Sequence, residues 1–173
     1  LIEMYNEDAL PILYQFGSLG ASGDLAPLAH LALPLLGLGE LNYKGKRITG
    51  EQYLKIIDQQ PLSLMSKEGL ALLNGTQVMS AYSVSNLIKA RKLLKLANLI
   101  GAASVDAFDG RLEPFHPMVQ KIRRQNGQIA VAEEVRHFLE GSELIQQHKK
   151  HIQDPYAFRC IPQVHGASYD TLN

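Results

Sequence analysis

Three consecutive residues, Ala21-Ser22-Gly23, carry the ingredients for chemistry on their own backbone. Glycine has no side chain to keep its amide nitrogen from folding back onto the carbonyl carbon of Ala21. The β-hydroxyl of Ser22 can leave as water, giving a dehydroalanine. Ring closure plus two dehydrations yields a methylideneimidazolone, an electrophilic alkene built from the chain itself. No motif for an external cofactor accompanies it.

A second reactive grouping is Gln153-Asp154-Pro155-Tyr156-Ala157-Phe158-Arg159. Tyr156 and Arg159 lie three apart, so one local turn aims both at the same space. The guanidinium of Arg159 presents a fork of donors matched to a carboxylate. Tyr156 can donate a hydrogen bond or relay a proton. His148 and His151 share a helical spacing, but the polar stretch around them lacks an acidic or thiol third ligand, so no metal site is assigned. His30 reads as a packing residue. His116, His137 and His165 show no catalytic spacing.

The elements that must position these groups are mostly helical. A turn of small residues at 17–23 leads to Asp24, placed as an N-cap, with Leu25, Leu28, Leu31 and Ala32 at helical spacing behind it. Pro27 fits the first turn, and Pro34 ends or kinks the helix. Residues 40–49 form the one plausible β element, a hairpin turning at Lys44-Gly45. Thr49 or Gly50 caps a short helix over 51–57, and Ser66 opens another running into Asn74-Gly75. The spacing then predicts a helix from 76 to 108, about 50 Å long. Its charges (Lys89, Arg91, Lys92, Lys95) cluster mid-length, and a helix without a charged face is normally buried. A chain this small cannot surround it, so it reads as one member of a bundle completed by other segments or subunits. Further helices are expected over 117–124 and after Asn126-Gly127, the latter with Ile129, Ala132, Val135 and Phe138 as its apolar stripe. Residues 153–167 read as an irregular loop. The fold class is mainly α, a helical bundle with one long central helix and at most a small β-hairpin, with 1–173 as a single segment.

Composition narrows the functional classes. The chain has 173 residues, with Lys plus Arg and Asp plus Glu both totalling 17, which gives no reason to expect nucleic acid or an anionic membrane as partner. The lone Cys160 rules out an internal disulfide and fits a reducing compartment. The apolar run 25–38 is too short to span a bilayer and no signal peptide is visible, so a soluble, cytoplasmic chain is expected.

The string GSLGASGDLAPLAHLAL (residues 17–33) closely resembles the signature of the aromatic amino acid ammonia-lyase family. KEGLALLNGT (67–76) resembles a second family segment, and 153–159 is similar to a third, QDxYSxR, with Ala157 where Ser is usual. The resemblance implies that Ala21-Ser22-Gly23 becomes the methylideneimidazolone and that Asp24 also assists cyclisation. It places Asn74 at the active site as a donor to the substrate or to the imidazolone oxygen, beside Gln153, Tyr156 and Arg159. It implies non-oxidative removal of ammonia from an aromatic amino acid in a homotetramer. The first two motifs stand closest to the histidine-specific members, implying L-histidine as substrate, urocanate as product and a place in histidine catabolism. The resemblance leaves open whether the electrophile bonds to the amine or to the ring. The family's upstream tyrosine base and further downstream site residues are not found here, which implies an internal portion of a longer chain. Two alternatives stand beside this reading: a catalytically incomplete helical scaffold, and a phenylalanine or tyrosine lyase or aminomutase.

Overall fold

The hairpin expected at 40–49 is present in the computed structural model, which describes residues 1–173. The chain enters through α1 (Ile2–Asn6) and β1 (Ala9–Pro11). After the small-residue turn come α2 (Ala26–Ala32), a 3-10 turn (Leu33–Leu36), and the hairpin strands β2 (Glu40–Tyr43) and β3 (Lys46–Thr49). β1 pairs antiparallel with β2, Leu10 opposite Asn42, and so adds a third strand to the hairpin. Residues 5–16 read as a short helix or turn feeding an extended segment, because Pro11 disfavours helix at Leu10. The pairing of that segment with the hairpin is what the sequence did not announce, and Pro11 is tolerated at the end of an edge strand. Thr49 caps α3 (Gly50–Ile56) in a capping box with Gln52. Met4, Ala9, Leu41 and Tyr53 form the small core beneath the sheet.

α4 (Glu68–Leu73) and α5 (Gln77–Ala107) follow, the latter 31 residues long. The chain divides into two compact units, Leu1–Ser83 and Val84–Asn173, with the division inside α5. In the second unit, a 3-10 turn (Glu113–Phe115) leads to α6 (Pro117–Arg123), α7 (Asn126–Phe138), α8 (Tyr156–Arg159) and α9 (Ile161–Leu172). The irregular loop expected over 153–167 is corrected here, because helix begins at Tyr156 and resumes at Ile161. Pro162 falls in the first turn of α9, where no amide hydrogen is required of it.

The core of the second unit gathers Ala102, Val105, Phe115, Val131, Ala132, Val135, Leu139 and Ile161. Glycine sets how closely α7 and α9 approach. A Cβ on Gly127 would lie 2.1 Å from the Gly166 carbonyl oxygen, and one on Gly166 would lie 2.5 Å from the Gln128 nitrogen. The stripe on α7 is accordingly shifted from the expected one. Gln128, Val131, Ala132 and Val135 are buried, and Ile129 and Phe138 only partly so. The chain itself buries only Asn98, Ala102 and Val105 of α5. Tyr82, Val84, Leu87, Ile88, Leu93 and Ile100 stand exposed along it.

Candidate active site

The small-residue turn ends in a tight junction with the α4–α5 connection. Gly23 has φ +132°, a region side-chain-bearing residues avoid, and a Cβ there would lie 2.7 Å from both Cα and C of Asn74. Beyond it, the Asp24 amide donates to the Gly75 carbonyl at 2.8 Å and the Leu25 amide to Leu73 at 3.1 Å. The Asp24 side chain is fully buried and turns the other way. Its carboxylate accepts from the Val78 amide at 2.7 Å and, more loosely, from the Met79 amide. These are the free N–H groups of the first turn of α5. Asp24 was expected to cap α2, the helix directly behind it; it caps α5 instead. The N-cap position of α2 is Leu25, at φ +56° and without a side-chain bond. A buried carboxylate gains from two amides and the positive end of a 31-residue helix together, which outweighs the shorter helix next to it.

Ala21 and Ser22 are exposed at a bend, whereas Gly23 and Asp24 are buried. The Gly23 amide donates no hydrogen bond, although the two amides after it are both held. The residues present therefore fit the cyclised group: a third residue that must lack a side chain, an uncommitted nitrogen, and a serine open to react. Asn74 lies against Gly23 through its backbone. Its Nδ2 donates to the Leu70 carbonyl at 2.7 Å, closing α4, and its carbonyl oxygen has no protein partner.

In the second unit, α8 brings Tyr156 and Arg159 together as their spacing predicts. The Arg159 guanidinium lies over the Tyr156 ring, 4.1 Å from its centroid. Tyr156 is 71% exposed, whereas the Nε of Arg159 is buried without a partner. Gln153 and Arg159 line one open cavity of about 340 Å³ with Arg111, Asp154 and Gln163. Gln163 also buries an unpartnered carbonyl oxygen.

Sequence reasoning missed what holds this stretch. Asp154 accepts from the Arg111 amide at 2.6 Å and sits 2.6 Å from Nε2 of His151. An acidic residue followed by proline inside the motif was the available signal. Nearby, hydrogen bonding from Lys149 holds the Asp109 carboxyl below its ordinary range. His30 packs edge-on to Tyr14, 5.0 Å between ring centroids, but its Nδ1 is buried without the partner a satisfied packing residue would have.

A profile of the family described as aromatic amino acid lyase matches residues 1–173. The chain is 46% identical over 174 residues to histidine ammonia-lyase of Caldanaerobacter subterraneus subsp. tengcongensis, covering 100% of this chain and 34% of that protein. It is 46% identical over 173 residues to histidine ammonia-lyase of Streptococcus pyogenes serotype M6, covering 99% and 34%. Among solved structures, ergothionase from Treponema denticola matches with a TM-score of 0.91 at 27% identity, over 98% of this chain and 34% of that one. Histidine ammonia-lyase from Trypanosoma cruzi matches with a TM-score of 0.80 at 34% identity, over 98% and 31%. The chain thus spans 34% of the length of the curated relatives it matches.

Proposed function

The chain belongs to the aromatic amino acid lyase family, and from that membership we propose that it supplies the electrophile-bearing part of an enzyme that eliminates ammonia from L-histidine to give urocanate. The observation that carries the proposal is the junction of Gly23 and Asp24 with Asn74-Gly75, which brings two sequence motifs into contact. Two curated histidine ammonia-lyases at 46% identity support histidine as the substrate.

A methylideneimidazolone supplies an electrophile that makes the amine a better leaving group and the β-proton easier to remove. Residues of each unit of this chain take part in the remaining work. Asp24 and the turn at Asn74-Gly75 hold Gly23 at one end of the tripeptide while Ser22 stays open to solvent. Arg159 binds the α-carboxylate through a charge-assisted fork. Tyr156, under that guanidinium, donates to the substrate or carries a proton. Gln153 and Asn74 offer amide groups that orient polar atoms without adding charge. Over the whole reaction the Cα–N bond breaks, the β-carbon loses a proton, and the carbon–carbon double bond of urocanate forms. The reading includes a homotetramer, supported by the apolar residues left exposed along α5. No helix is long and apolar enough to cross a membrane.

The test uses the full-length protein. Its intact mass should fall short of the sequence mass by two waters, and urocanate absorbance should grow with L-histidine. Ser22→Ala should restore the full mass and abolish turnover. A full-mass protein that still releases urocanate would overturn the proposal.

A further inference from the structure

Between Gln153 and Tyr156 lies a carboxylate with a side chain only 1% exposed. Oδ2 of Asp154 accepts the Arg111 amide, and its Oδ1 meets the His151 ring, each at 2.6 Å. Arg111 also reaches the other end of the same loop, where its Nε donates to the His151 carbonyl at 3.0 Å and its Nη2 joins that bond. One residue therefore grips the loop twice, by its main chain at 154 and by its side chain at 151. Between the two grips the chain stands out from the surface, with Ile152 96% exposed and Gln153 exposed. Burial does not shape those residues. Beneath the loop, Phe108 stacks on Phe158 at 4.6 Å and tilts against His151 at 5.6 Å.

We propose that Asp154, clasped by Arg111 and His151, is a positioning residue that fixes the loop from which Gln153, Tyr156 and Arg159 meet the substrate. The proposal rests on the lyase reading above and deepens it. Neither Arg111 nor Asp154 belongs to the apolar core of this unit, which is built around α7 and α9. Loosening the clasp therefore frees the loop and leaves that core standing. Displacement of a substrate-orienting group by about 1 Å lowers rates by as much as 100-fold, so a partial release is readable in kinetics.

The experiment is a double-mutant cycle in the full-length protein, with Asp154→Asn introduced into the wild type and into Tyr156→Phe. Asp154→Asn keeps size and one acceptor oxygen but removes the charge shared by the two partners. If Asp154 acts through the loop, kcat/KM falls about 10-fold in the wild type and less than about 2-fold in Tyr156→Phe. The mass deficit of two waters and the circular dichroism stay unchanged. Arg111→Lys keeps the main-chain bond and loses the fork on His151. It should give the same pattern, and it carries the test if Asp154→Asn does not accumulate. Equal losses in both backgrounds, or no loss in either, overturn the positioning role while the lyase reading stands. Absence of turnover by the wild type on any aromatic amino acid would sink the lyase reading, and this proposal with it.

Discussion

Asp24 in the first unit and Asp154 in the second are both buried carboxylates next to proposed site residues, yet they are held in different ways. Asp24 takes main-chain amides alone, those of Val78 and Met79 at the start of α5. Asp154 takes one amide and an imidazole, and its loop is gripped again by a guanidinium. The difference follows from what each faces. A helix N-terminus offers several aligned N–H groups and a favourable dipole, so an anion there needs no cation. A loop has neither, and the carboxylate must recruit side chains from elsewhere. Asp170 extends the first pattern, accepting the Gly127 amide in the first turn of α7 at 2.7 Å. The contrast has a functional side. An amide-held carboxylate fastens rigid elements together, whereas a side-chain-held one fixes a loop that must present its neighbours outward.

The largest expected effect tests how rigid the Asp24 junction is. Gly23→Ala places a Cβ 2.7 Å from the Asn74 backbone at φ +132°, which should cost about 4 kcal/mol of stability in the first unit. The chain should also keep its full mass. Denaturant unfolding with intact mass spectrometry checks both, and a stable, dehydrated variant would show the junction to be loose. Next, Asp24→Ala leaves the Val78 and Met79 amides without their acceptor, a loss of about 3 kcal/mol. Hydrogen exchange should show those two amides losing protection while the Arg111 amide, held by Asp154, keeps its own. Joint loss at all three positions would erase the distinction between the two carboxylates.

The smallest effect concerns a group held by neither device. His165 has Nδ1 2.7 Å from Oδ1 of Asn98, and burial lowers its pKa below the ordinary 6.5. The unfolded chain therefore binds the proton first as pH falls. This histidine costs nothing at pH 8, and it destabilises the second unit as pH drops through 6.5 toward the folded value. An NMR titration of the His165 ring should give a midpoint below that of a free histidine. A midpoint at or above it would mean that a counter-charge reaches the ring.

Much of this organisation is legible without coordinates, for one reason: its signals are local. Lys44-Gly45 marks the hairpin, Thr49-Gly50 marks the start of α3, and the run from Thr76 to Asp109-Gly110 marks α5, each through neighbours a few residues away. The spacing of Tyr156 and Arg159 announces in the same manner that they share one space, though not that the guanidinium stacks on the ring. Pro162 misleads because a proline that opens a helix reads the same as one that breaks a loop.

By itself, then, the sequence determined the mainly helical class, the tripeptide with its reactive serine, and the residue types offered to a carboxylate. Tertiary structure decided which groups meet. Asp24 caps α5 across 54 residues rather than the helix beside it. β1 joins the hairpin across about thirty residues, and Arg111 clasps His151 across 40. A carboxylate's need for donors is a property of its chemistry and can be read from one residue. Which donors it receives depends on the chain closing long loops, and no local pattern encodes that closure.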